Sequence, residues 1–490
     1  FPEWINSNSA VWLDYDADGY VDLFLTGYFH EEVDIWELST TRIMPDSYEY
    51  ATNGGRNVLL RNVEGRAFVD VTRQTGLDTR LWTLAATAVD VDGSGYPDLV
   101  LANDYGVDEL FLNVGGAFFV PAGEASGIGF IPKSGMSVTA ADFYNQGAYA
   151  LYITNISEAG VLMQGNNLWV ETGREPIDLD RVRRAAERIG RGEGVGAAGQ
   201  AGSWTEAAAR VQVPRYLNTA TDAGVEIGLW GYAGAAADVD NNGFQDLYVA
   251  NGFYSATPET DYWYDYAKVV GANRNVIIDA VNWPAMEERT FSGYQANRLW
   301  LNDGAGRFRE VSEAVGAGLT LDSRSAAFAD VFEDGALDLL VASQHAPFRL
   351  YRGETAPGRA WIALELEGRV SNRSAIGATA TIWWTMADGT PQRQIRHVSG
   401  GEAFSSQSSR RLHVGLGNMG PLDAADPPRV DSVRISWPSG IRQTLRSLPA
   451  GRLHKVVEPV SGDDATGGRP ANSPSASAAN SAANSTASSA

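Results

Sequence analysis

The sequence predicts an all-β chain: a β-propeller of six or seven blades with insertions, followed by a small β-rich domain. Three observations predict it. A ten-residue Asp/Gly segment occurs five times, and each copy runs into a short apolar stretch. A second unit of strand, Gly-bearing turn and strand alternates with it. The second and third Asp/Gly copies start 52 residues apart, a normal length for one four-stranded blade.

The first copy is Asp14-Tyr15-Asp16-Ala17-Asp18-Gly19-Tyr20-Val21-Asp22-Leu23. Two more are nearly intact, starting at Asp90 and Asp238. A weaker copy starts at Asp330, with Phe332 in place of a carboxylate. A decayed one starts at Asp142, with Tyr144 and Ala150 replacing two more. Oxygen side chains at positions 1, 3, 5 and 9, a carbonyl at 7 and glycine at 6 suit calcium, which takes about six to eight oxygens in flexible geometry. The helix–loop–helix site with a Glu at position 12 does not fit, because Leu25, Leu101, Val249 and Val341 stand there inside strand-like runs. The loop therefore joins two strands. The metal ligands expected are Asp14, Asp16, Asp18, Tyr20 and Asp22; then Asp90, Asp92, Ser94, Tyr96 and Asp98; then Asp238, Asp240, Asn242, Phe244 and Asp246. In the weaker copy they are Asp330, Asp334 and Asp338. The alternative is a set of hairpin turns without metal, since Asp and Gly are ordinary turn residues.

The second unit appears as Asn57–Asn62 with Phe68–Val71, as Glu109–Asn113 with Phe118 and Phe119, and as Asn297–Asn302 with Phe308 and Val311. The other intervals between Asp/Gly copies, 76, 96 and 92 residues, hold one blade plus an insertion, or two blades. Insertions are expected at about 28–55, 171–202 and 253–295. The second contains a helical pattern, with Leu179, Val182, Ala186 and Ile189 on one face, Asp178 or Asp180 as cap and Gly190 as stop. The third is rich in rings: Tyr262, Trp263, Tyr264, Tyr266 and Trp283. Those rings offer a stacking platform or, alternatively, pack the insertion down. The first and third insertions leave the repeat at the same point, so they are expected to build a lid on one face.

The texture changes near Pro357. Residues 1–357 form the repeat domain, 358–458 a strand-rich domain, and 459–490 a Ser/Ala/Asn-rich tail expected to be disordered. The formal charge of −22 disfavours nucleic acid and anionic membranes. Cysteine is absent, which excludes disulfides, thiolate metal sites and cysteine nucleophiles. No apolar run of about 18 residues is present, so no membrane span is expected. The chain begins at Phe1 and enters a metal loop almost at once, which points to a removed signal peptide or a missing N-terminal segment. His30-Glu31-Glu32-Val33 starts like a zinc-protease helix, but Asp34 stands where the second His belongs. Gly194–Gly199 matches a dinucleotide fingerprint, yet it follows a helix instead of a strand and reads as a Gly-rich linker.

The Asp/Gly loops resemble the FG-GAP or VCBS repeats of integrin-type β-propellers. Ser371-Asn372-Arg373-Ser374-Ala375-Ile376-Gly377-Ala378, Ser405-Ser406-Gln407, His413-Val414-Gly415-Leu416-Gly417 and Trp437-Pro438-Ser439-Gly440 stand in the order of the ASPIC/UnbV domain, with Val414 replacing a usual Phe. Together they resemble the cartilage acidic protein family and its bacterial relatives. The resemblance implies a secreted, periplasmic or cell-surface calcium-binding propeller and implies little about activity; the function expected first is that of a binding or scaffold protein. Its expected partner is a protein or carbohydrate at the insertion face. The alternative is an enzyme with a site under the lid, acting on a glycan or secondary metabolite. Asn372-Arg373 is a candidate ligand contact or, alternatively, a turn held by arginine hydrogen bonds.

Overall fold

In the computed structural model, residues 5–37, 43–47, 49–190, 204–272, 280–420 and 427–460 are described. The Gly194–Gly199 linker and the tail from 461 onward lie outside them. The chain is all-β. Each Asp/Gly loop joins two antiparallel strands, because its apolar run alternates and its turn residues permit reversal. Ala10–Leu13 pairs with Asp22–Leu25, then Val58–Val63 and Ala67–Asp70 complete the first sheet. The second sheet holds Thr83–Val89, Asp98–Asn103, Glu109–Asn113 and Phe119–Pro121. The third holds Ser137–Ala141, Ala150–Thr154, Asn167–Pro176 and Gln212–Asn218. Gly231–Ala237, Asp246–Asn251, Arg298–Asn302 and Phe308–Glu310 form the fourth, and Ser323–Ala329, Asp338–Ser343 and Arg349–Tyr351 the fifth.

Five such sheets occur among the described residues where six or seven blades were expected. The long intervals hold insertions instead of extra blades. In the third sheet the last two strands lengthen into a hairpin that carries the helix Leu179–Arg188. Asp178 caps this helix by accepting from the Asp180 amide, and Val182, Ala185 and Ala186 are buried, while Leu179 is exposed. The insertions of the first and fourth sheets both join second strand to third, at the end opposite the Asp/Gly loops. They share one apolar cluster: Val33, Ile43 and Met44 pack with Tyr262, Tyr266 and Phe291. Most rings of the third insertion are therefore spent on packing. Tyr264 stays exposed, with the Lys268 ammonium 3.8 Å above its ring.

The first strands of successive sheets lie side by side. Apolar residues of consecutive sheets interdigitate, as where Val11, Leu13, Phe24 and Leu59 meet Ala86, Leu99 and Phe111.

The C-terminal domain has two sheets. One places Ala360–Glu367 between Leu412–Gly417 and Arg452–Val457; the other orders Pro391–His397, Thr379–Thr385, Arg429–Ser436 and Arg442–Pro449. Ile362, Ile382, Trp384, Val414, Val433 and Trp437 fill the core between them. Two motif serines converge on a residue that sequence reasoning did not single out. Glu458 is buried, with Oε2 accepting from the amides of Arg369, Val370 and Ser371, and Oε1 from the hydroxyls of Ser371 and Ser439. Burial alone would raise its carboxyl, but bonds from Ser439, Arg369 and Ser371 outweigh that and hold it below its usual 4.5. A carboxylate lowered on folding adds stability above its unfolded pKa and loses it as pH falls through the folded value. Glu458→Gln is expected to be less stable than wild type at neutral pH and to lose less on acidification from about pH 5 to about pH 3. Parallel pH profiles in urea melts would remove that role.

Candidate metal centres

All five Asp/Gly loops adopt one conformation. The position-1 carboxylate caps the turn: Asp14 accepts from the amides of Asp18 and Gly19, Asp238 from those of Asn242 and Gly243, and Asp330 from those of Asp334 and Gly335. Even the decayed loop does this, through Asp142 and the amides of Gln146 and Gly147. Position 6 is left-handed glycine throughout, with φ from 71° to 95°. Position 4 is left-handed as well: Ala17, Gly93, Asn145, Asn241 and Glu333. Nothing in the residue types at 17 and 333 signals this.

In the three intact loops the position-9 carboxylate ties the loop to the third strand. Asp22 accepts from Tyr15 and Asn62 amides, Asp98 from Val91 and Asn113, Asp246 from Val239 and Asn302. The asparagines that end the third strands then reach the preceding sheet, since Asn113 donates to the Tyr15 carbonyl and Asn302 to that of Phe143. Neighbouring loops are thereby chained together. At position 5, Asp18, Ser94 and Asn242 accept from the amides of Tyr20, Tyr96 and Phe244, which orients the position-7 residues.

Three loops bring carboxylate oxygens close enough to share one ion: Asp14, Asp16 and Asp18; Asp90, Asp92 and Asp98; Asp238, Asp240 and Asp246. Their electrostatics are unfavourable without a cation. Burial, then Asp16 and Asp18, raise Asp14 to about 7. Burial and Asp92 raise Asp90 to about 7, while burial and Asp240 raise Asp238 to about 7. Burial drives Asp98 and Asp246 well above the usual carboxylate range. Some oxygens also lack any partner: Asp16 Oδ1, Asp90 Oδ1 and Asp92 Oδ2. A buried acceptor without a donor costs about 1–3 kcal/mol, and a hard divalent cation would satisfy it. The donor set, all oxygen, suits calcium.

The other two loops differ. At Asp334 the Arg352 guanidinium sits 2.9 Å away and holds the carboxyl below its usual range. Asp330 and Asp338 spend their oxygens on backbone amides. In the decayed loop, the Ile395 amide reaches Asp142 Oδ2 and the Gln394 amide nitrogen reaches Asn145 Oδ1. Protein stands there where other loops present open carboxylates.

Those last contacts come from the C-terminal domain, which is seated on the loop face instead of merely appended. A Cβ on Gly19 would stand 2.9 Å from the Val370 carbonyl oxygen. His413 Nε2 lies 2.7 Å from Asn241 Oδ1, and the Gly417 amide donates to the Asn241 carbonyl. A Cβ on Gly415 would stand 2.1 Å from Asp238 Oδ2, and one on Gly335 2.0 Å from the Trp361 ring. The His-Val-Gly-Leu-Gly motif thus lies flat on the loop at 238–246. The turn at 371–376 is held by Asn372, which donates to the Ile376 carbonyl and accepts from its amide; Arg373 is an exposed partner of Glu367.

From this domain, residues 399–409 enter the space between the five sheets and touch the first strand of each. The Gly400 carbonyl accepts from the Trp12 amide, and Gly401's from Thr87 Oγ1. The Ala403 amide donates to Val138, and Phe404 packs edge-on to Tyr232 with centroids 5.5 Å apart. Ser406 Oγ and the Ser409 amide donate to Ala326 and Phe328. Phe404 also borders a cluster with Trp230, Tyr28 and Trp263, on the insertion side. There Tyr28 donates to Asp104, whose carboxyl burial raises to about 6.

Comparison with known proteins agrees with these two parts. The ASPIC and UnbV family model matches residues 368–463, and the FG-GAP-like repeat model matches residues 289–341. The second match runs from the outer half of the fourth sheet through the loop of the fifth. No curated protein matches the chain. Among solved structures, the V. cholerae biofilm matrix protein Bap1 is similar over 90% of this chain, at 10% identity and a TM-score of 0.32. The chain spans 59% of that protein.

Proposed function

We propose that this chain, with its FG-GAP-like repeat and C-terminal ASPIC/UnbV domain, is an extracytoplasmic calcium-binding scaffold or binding protein. The five sheets act as blades of a propeller whose axis is filled by residues 399–409. The observation that carries the reading is the set of three carboxylate clusters, one in each intact loop, with unpartnered oxygens on Asp16, Asp90 and Asp92. Calcium there is structural: it offsets repulsion among buried carboxylates and stiffens the surface on which the C-terminal domain rests. Calcium-stabilised modules work where the ion is abundant, and sites of millimolar affinity are typical outside cells. No helix among the described residues is long and apolar enough to cross a membrane. The binding surface is the insertion face, where Trp36, Tyr50 and Tyr264 stay exposed for a protein or carbohydrate ligand.

Thermal melts of the full chain with calcium and with chelator, beside a metal count, test this. Three ions per chain and a higher Tm with calcium are expected, since a ligand bound only to the native state stabilises it. An unchanged Tm with no bound ion would leave the loops as turns.

A further inference from the structure

Calcium is not the only cation available to these loops. At one register position, directly after the third-strand residue that pairs with the start of the second strand, the sheets differ. The first sheet has Arg61, one step beyond the Leu23–Leu60 pair. The second and fourth have Leu112 and Leu301, beyond Leu99–Phe111 and Leu247–Trp300. The fifth has Arg352, beyond Leu339–Tyr351.

Both arginines reach their own loop. Arg61 lies 2.7 Å from Asp16 and 3.0 Å from Asp18, and Arg352 lies 2.9 Å from Asp334. In the fifth loop the substitution is complete: Phe332 replaces the position-3 carboxylate, and the Arg352 guanidinium lies 4.6 Å from the centre of its ring. The loop at 238–246 gains a cation by another route. Arg359, just ahead of the strand Ala360–Glu367, lies 2.6 Å from Asp240 Oδ1 and also donates to the Asp240 carbonyl. At the loop of 90–98, the arginine nearby (Arg174) binds the Asp92 carbonyl, and its ion-pair partner is Glu171. There two carboxylate oxygens, Asp90 Oδ1 and Asp92 Oδ2, are left without partners, and Asp92 is only 3% exposed. The loop of 14–22 is intermediate, with one such oxygen on Asp16, 2% exposed.

We propose that resident arginines grade the three calcium centres. The centre at Asp90, Asp92 and Asp98 binds first and most tightly, while Arg61 and Arg359 are tethered counter-cations that calcium must displace at the other two. The physical reason is competition for the same oxygens: a guanidinium already neutralises the charge an incoming ion would gain from, and its hydrogen bonds must break. Arg359 belongs to the C-terminal domain, so filling the Asp240 centre also alters that domain's anchorage. This rests on the calcium reading above.

The test is a calcium titration of the full chain by equilibrium dialysis, with a metal count. One ion is expected to bind at free calcium about tenfold or more below the other two. Asp92→Asn should delete that tight class. Arg61→Met should move a second ion into it, and Arg359→Gln should do the same at the third centre, which keeps the test open if one variant fails to fold. Three ions of equal affinity, or arginine variants that leave the weak class unmoved, would overturn the grading while calcium binding stands. No bound ion at all would overturn the calcium reading itself.

Discussion

Gly400→Ala is expected to destabilise the whole chain by about 3 kcal/mol, the upper end of the usual range for overpacking a well-filled interior. The added Cβ would lie 1.8 Å from the Trp12 carbonyl oxygen and 2.7 Å from its carbon. Neither side can give way easily. Trp12 is held in its sheet by pairing with Leu23, and the Gly400 carbonyl is committed to the Trp12 amide. The same segment is pinned at Ala403 and Ser409. Because residues 399–409 touch all five sheets, the loss should spread to both domains as one cooperative transition. Gly173→Ala is the control, since a Cβ there meets nothing within 4 Å. Urea melts of both variants decide it. Equal, small effects would mean that residues 399–409 do not lie between the sheets.

Asp98→Asn is expected to cost about 3–5 kcal/mol in the presence of calcium, the scale for removing one partner of a buried charged network. Asp98 is fully buried, and both oxygens accept: Oδ1 from the Asn113 amide, Oδ2 from the Val91 and Asp92 amides. An amide side chain presents NH2 where one of those oxygens stood, so donor faces donor. The variant also weakens one metal centre, and the count should fall by one ion. The penalty should shrink in chelator, because wild type then also carries an uncompensated carboxylate cluster. A penalty identical with and without calcium would separate Asp98 from metal binding and leave it a purely structural acceptor.

Local chemistry was legible from the chain alone. Carboxylates at positions 1, 3, 5 and 9 with glycine at 6 define a turn whose hydrogen bonds close within nine residues. Asp14 to Gly19 and Asp98 to Val91 are examples. The same is true of the helix start at Asp178, capped two residues on. Short contacts of this kind depend on residue type and spacing, which the sequence displays directly. The blade count was less legible, because a long interval reads alike whether it holds a further sheet or an insertion.

Three features were decided only by the tertiary structure. Which loops keep open carboxylates depends on Arg61, Arg352 and Arg359, distant in sequence from the oxygens they meet. The seating of the C-terminal domain depends on glycines that bring two backbones together, as at Gly415 against Asp238. The contents of the central space come from Gly400 meeting Trp12 across most of the chain. Such pairings follow from packing two whole domains, and neither partner carries a mark of the other. The repeated loop and its all-oxygen side chains could be read directly from the chain. Only the folded chain decided which loops leave their oxygens free, because that is a matter of which side chain or backbone arrives first in space.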